Sequence, residues 1–175
     1  MSGLLIDMSF VVIDGVWDPA RVAAALPREA EFSHDGDRRE ALAETLHGSD
    51  GETYNEALFA IFSHGTKTLV ARPGDAAICG STEFECALSA AFGEAWMFQS
   101  HYGLGLIRHC RAGEVVGEVG GFEVSPKTGV LGITSPISDA SVEDIMALHL
   151  ARLVGAPWEA IFPRRGARAS FWALI

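Results

Sequence analysis

Apolar positions along the chain fall into short runs with two different periods, divided by polar turns. Phe10 to Ile13 is a β-branched apolar run and predicts a strand. Asp18 is then placed to cap a helix with Pro19 at its first position, Arg21 to Leu26 in its body and Pro27 as its stop. Leu42 and Leu46 share one helical face, which predicts a second helix over Asp37 to His47, ended by Gly48. A polar, acidic loop runs from Gly48 to Tyr54. Ala57 to Phe62 suits a strand or a buried helical turn equally well. Thr66 to Ala71 predicts a strand closed by the turn Pro73, Gly74, Asp75. Ser81 or Thr82, followed by Glu85, has the spacing of a capping box for a third helix. Its apolar positions Phe84, Leu88 and Phe92 repeat every four residues, and Gly93 ends it.

The middle of the chain alternates on a shorter period. Trp96 to Ser100, Leu104 to Cys110 and Glu114 to Val119 are three strand-like runs, separated by a turn at Gly103 and by Arg111, Ala112, Gly113. This predicts an antiparallel meander over about 96–119, broken by Gly120 and Gly121. Val130 to Ile133 suggests one more strand. Ser141 and Asp144 form a second capping-box pattern ahead of a helix over Val142 to Val154, with Ile145, Leu148 and Leu153 inward and Gly155 as the stop. Ala169 to Ile175 reads as a closing strand. The expected fold is α+β, one domain over 1–175, with an antiparallel sheet and helices packed on one face.

Composition changes that picture mainly through charge. Of 175 residues, 49% are hydrophobic and 21% charged, which suits a globular domain able to bury a core without metal or disulfide. Thirteen Lys and Arg against 23 Asp and Glu leave a net charge of −10. Twelve of those acids lie in residues 1–60, beside only four basic side chains. Such a field repels phosphate backbones, so direct nucleic-acid binding is not expected. No apolar run is long enough to span a membrane, and the first residues, with Asp7 and no basic cluster, do not read as a signal peptide. The expectation is a cytoplasmic protein.

Motifs for common chemistries are missing. Gly103 and Gly105 begin a Gly-x-Gly, but Arg108 occupies the third glycine's place and a strand follows. Cys79, Cys86 and Cys110 have no Cys-x-x-Cys spacing, so neither a structural zinc site nor a redox motif is indicated. His101, His109 and Cys110 could supply metal ligands, yet His109 and Cys110 are adjacent and alternate faces on a regular strand. The same alternation defeats a His109–Cys110 nucleophile–base pair. His64 and His101 read as loop residues and His149 as a hydrogen-bonded structural histidine. No catalytic residue, cofactor or metal is assigned. Trp17, Tyr54 and Trp158 are either core staples or, where exposed, interface anchors.

The layout resembles small cytoplasmic immunity proteins of bacterial toxin–immunity systems. The resemblance rests on the strand that leads into a Pro-started helix, and on the helix Ser81 to Phe92 followed by the hairpins above. The turn Arg111, Ala112, Gly113, Glu114 is similar to their charged turn. It covers Thr66 to Val119 and the first 26 residues, and it transfers no functional residue by position. It implies a non-enzymatic protein that binds a cognate, basic toxin domain and masks its active site. The expected binding face comprises Asp35, Asp37, Glu40, Glu44, Asp50 and Glu52, with Tyr54 as anchor; helical spacing puts Asp37, Glu40 and Glu44 on one stripe. The alternative is a small-molecule-binding protein or enzyme with a pocket between sheet and helices, where Gly103, Gly105 and Gly117 would admit a ligand. A third reading is a homo-oligomer formed through the apolar C-terminal strand.

Overall fold

The computed structural model describes residues 8–38, 58–73, 82–101, 104–121, 142–162 and 166–175. Its strands are β1 (Met8–Asp14), β2 (Ala30–Asp37), β3 (Leu58–His64), β4 (Lys67–Pro73), β5 (Glu94–His101), β6 (Leu104–Arg111), β7 (Glu114–Gly121) and β8 (Arg168–Leu174). They form one antiparallel sheet in the order β2-β8-β3-β4-β1-β5-β6-β7. The helices among the described residues are α1 (Pro19–Ala24), α2 (Glu83–Phe92), α3 (Val142–Val154) and the short α4 (Trp158–Ile161). The α+β expectation therefore stands in its coarse form, with the sheet dominant.

Local rules account for the elements. Asp18 caps α1 as expected, its Oδ1 accepting from the Ala20 and Arg21 N–H groups at 2.9 and 3.3 Å. The meander forms in register, Trp96 opposite His109 and Arg108 opposite Glu118. Its second turn has Ala112 and Gly113 both in the left-handed region, at φ 50° and 89°, as a tight hairpin with right-handed twist demands.

Helices cover both faces of the sheet, which corrects the one-face expectation. Phe10 and Val12 of β1 join Phe62, Leu69, Phe98, Ile107 and Phe171 in a core closed by Met146, Leu150 and Val154 of α3 and by Ile161. Val11 and Ile13 join Phe59, Ile61, Val70, Met97 and Cys110 in a second core closed by Val22 of α1 and by Phe84 and Leu88 of α2. The physical reason lies in continuous apolar runs: all five residues 58–62 of β3 are buried, and such runs mark strands covered on both sides.

Other expectations shift in detail. The inward stripe of α3 is Met146, Leu150 and Val154; Leu148 is only half-buried and Leu153 partly so, while the side chain of Ile145 lies outside the described set. Thr82 makes no side-chain capping bond, and Glu85 is buried against Arg108, so the capping box does not form. Gly120 and Gly121 continue β7 opposite Leu106 and Gly105. The C-terminal strand β8 lies inside the sheet between β2 and β3. Both its edges are thus paired within the chain, which removes it as a strand for pairing with a sister copy. Asp37 ends strand β2 and the next residue, Arg38, is already helical; the rest of the helix expected to His47, the loop to Tyr54 and the strand at Val130 to Ile133 lie outside the described residues.

Candidate functional site

Strand β2 is an outer strand of the described sheet and carries the acidic positions that can be placed. Residues 31–35 are all exposed. A bulge between Phe32 and His34 sets Phe32 opposite Trp172, and Asp35 opposite Ser170. These partners sit two apart on β8, so Phe32 and Asp35 share a face although they are three positions apart in sequence. Phe32 meets Trp172 edge-on at 5.6 Å and still exposes 54% of its surface. Asp35 accepts from the Ser170 hydroxyl at 2.9 Å, and Asp37 from the Gly166 N–H at 3.3 Å. His34 points the other way and stacks on Phe171 at 4.7 Å.

Arg38 anchors the end of this strand. Its guanidinium donates to the carbonyls of Ser63, Ile161 and Arg168 at 2.7, 3.1 and 3.0 Å, and lies over the Phe62 ring at 4.4 Å. Burial lowers its pKa, against the opposing field of Asp37. The point from which the acidic segment 39–57 departs is therefore fixed. Of the expected binding residues, the fold brings Asp35 and Asp37 together on β2, while Glu40, Glu44, Asp50, Glu52 and Tyr54 lie outside the described residues. Sequence reasoning missed Glu31 and Phe32. The alternation Ala30, Glu31, Phe32 was the available signal.

A second polar cluster sits at the opposite sheet face, under α3. The Glu94 Oε1 bonds His109 Nε2 at 2.5 Å and accepts from Arg111 at 3.1 Å. Burial raises the Glu94 carboxyl, but the hydrogen bonds with Arg111 and His109 outweigh it and lower its pKa. His109 stacks on Trp96 at 3.8 Å, and His149 of α3 tilts against the same indole at 4.8 Å. The His149 Nε2 is buried with no hydrogen-bond partner among the described residues, unlike the hydrogen-bonded histidine expected. Nearby, Lys67 bonds Asp14 at 2.5 Å, which lowers the Asp14 pKa. Val12, Asp14, Lys67, Glu94, Trp96 and Leu153 line a cleft between sheet and α3. Its cavity volume is about 10 Å3, room for about one water and far below the several hundred Å3 of a ligand pocket.

The remaining candidates separate as alternation requires. His109 faces α3, whereas Cys110 is buried in the core under α2. The side chain of His101 lies outside the described set, and no group of three or more metal-ligating side chains is assembled among the described residues. Trp17 is a packing residue, tilted against Phe92 at 4.8 Å, capped by Arg21 at 4.5 Å and bonded through Nε1 to the Asp14 carbonyl at 2.6 Å. Among the described residues, no helix is long and apolar enough to cross a membrane. Comparison with known proteins gives no matching family model, no matching curated protein and no matching solved structure.

Proposed function

We propose that this is a non-enzymatic binding protein whose partner is a basic protein, specifically a cognate toxin domain whose active site it masks. The observation that carries the reading is the outer strand β2, which presents an exposed aromatic ring on the same face as two carboxylates, Phe32 with Asp35 and Asp37, while Glu31 is exposed on the strand's other face. The acids Glu40, Glu44, Asp50 and Glu52 follow in sequence, with Tyr54 as the anchor. Large aromatics supply binding energy at interface centres, and surrounding charges set approach and orientation. Among the described residues, the cleft under α3 gives the small-molecule alternative little support, since about 10 Å3 holds no substrate.

The test uses the whole chain and a Glu31→Lys/Asp35→Lys variant as parallel baits in the native host, followed by association kinetics with whatever basic protein is captured. Association with the variant should be about tenfold slower at low salt, the gap closing as salt screens the charges. Equal association at every salt concentration refutes the role of the acidic strand. A captured partner that is not inhibited in its own activity refutes the masking role.

A further inference from the structure

Under α2, the Cys86 sulfur of that helix and the Cys110 sulfur of β6 face each other at 3.9 Å, both as free thiols. Cys110 is fully buried and Cys86 half-buried. Their neighbours build this approach. The Cys86 N–H donates to the Thr82 carbonyl at 3.0 Å, which fixes the residue in the first turn of α2. The buried Ser89 hydroxyl donates to the Cys86 carbonyl at 3.0 Å and accepts from the Gly113 N–H at 2.9 Å. A Cβ on Gly113 would stand 3.4 Å from the Ala90 Cβ and 3.9 Å from the Cys86 oxygen, so the β6–β7 turn is seated directly on the helix. One serine thus clamps helix to hairpin with the two thiols in register.

We propose that Cys86 and Cys110 are a reversible oxidation site, a dithiol–disulfide pair whose oxidant is a peroxide. The inference is independent of the acidic binding face. In the first step the half-exposed Cys86 thiolate attacks one oxygen of the peroxide. The O–O bond breaks, Cys86 becomes a sulfenic acid, and the second oxygen leaves with a proton as water. In the second step the Cys110 sulfur attacks the oxidised Cys86 sulfur. The S–S bond forms, the S–O bond breaks, and hydroxide leaves with the Cys110 proton as a second water. Two thiols and one hydrogen peroxide give one disulfide and two waters.

Burial divides the roles. Desolvation first, then the Cys86 thiol and the Glu85 carboxylate, push the Cys110 thiol up to about 12, so it keeps its proton until its neighbour has been oxidised. The sulfurs must close from 3.9 Å to about 2.0 Å. The end of α2 that must give carries no side-chain cap at Thr82, and its first turn is held through its backbone, its packing and the Glu85–Arg108 ion pair.

The experiment uses the full chain with Cys79→Ala, so that only this pair is present. After hydrogen peroxide and quenching with catalase, the chain is unfolded in iodoacetamide and its intact mass recorded. The expected product has lost two hydrogen atoms, takes up no alkyl group and regains two alkylatable thiols with dithiothreitol, at a rate independent of protein concentration. Adding Cys86→Ser, at the half-exposed position, should leave Cys110 reduced and alkylatable. Three outcomes overturn the proposal: both thiols stay alkylatable under peroxide that oxidises glutathione, Cys86 proceeds to sulfinic acid with Cys110 reduced, or the disulfide joins two chains.

Discussion

Glu85 lies in the first turn of α2, where an acid would ordinarily face water, yet its side chain is only 4% exposed. It pairs there with Arg108 of β6, itself 5% exposed, whose Nε also donates to the half-exposed Glu118 of β7 at 2.6 Å. Burial alone would depress the Arg108 pKa; its hydrogen bonds to Glu85 and Glu118 reverse this and raise it. Replacing Glu85 by Gln keeps the shape and one acceptor oxygen but cancels the charge. Breaking a buried pair from one side costs about 3–5 kcal/mol. Because Arg108 keeps Glu118, the loss should fall near the lower end, about 3 kcal/mol, and lower Tm by roughly 6–12 °C in a chain of this size. Urea unfolding should show a lower midpoint with an unchanged slope. The double variant Glu85→Leu/Arg108→Met, which removes the pair together, should return to within about 1 kcal/mol of wild type. A single variant that loses less than about 1 kcal/mol, or a double variant no better than the single, refutes the account of Arg108 as a buried charge dependent on Glu85.

Two further perturbations test the rest of the fold. His149 has its pKa pushed down to about 4, by burial first and then by Arg152 and His109. A depressed histidine is protonated more readily in the unfolded chain, so stability is full above about pH 6.5 and falls as pH drops toward about 4. His149→Leu should cancel about 1 kcal/mol of that loss at about pH 5, after screening at a half-buried ring is allowed for, leaving the contribution of the likewise depressed His64. An unchanged Tm difference between about pH 7 and about pH 5 contradicts this assignment. Ala112 holds φ at 50° in the β6–β7 turn, where a Cβ is strained; Ala112→Gly should gain about 0.5–1 kcal/mol in urea unfolding, and a loss of stability sinks the strain argument.

The elements that local chemistry specifies were legible in sequence. Asp18 and Pro19 fix the start of α1, Gly93 and Gly155 stop α2 and α3 at φ 92° and 76°, and the turn at Ala112 and Gly113 sets the meander register. What failed depends on partners distant in sequence. β2 is polar and exposed through its middle, so its apolar signal is confined to Ala30 and Phe32, and the strand is defined by its pairing with β8, more than 100 residues away. The capping-box spacing at Glu85 was outweighed by a charge on another strand. Trp96, His109 and His149 meet only because α3 crosses β5 and β6, a packing choice that no local spacing encodes.

That same contrast bears on how β2 can act. An outer strand leaves one row of backbone N–H and C=O groups for another chain to pair with, and proteins blunt such edges with charge and bulges. β2 has both devices: Glu31, Asp35 and Asp37, and the irregularity between Phe32 and His34. The carboxylates repel a second copy of this chain, since an identical strand would bring the same acids together. They do not repel a cationic strand or loop, for which the charge is attractive and Phe32 offers apolar area to cover. On the proposed reading, opposition to self-pairing and admission of a basic partner follow from one set of residues. The opposite outer strand β7 differs, exposing Val115 at 42% and Val116 at 53% between Glu114 and Glu118. There Glu118 is already committed to Arg108, so less free charge is left to select a partner by sign. If one edge of this sheet discriminates between partners by charge, it is β2.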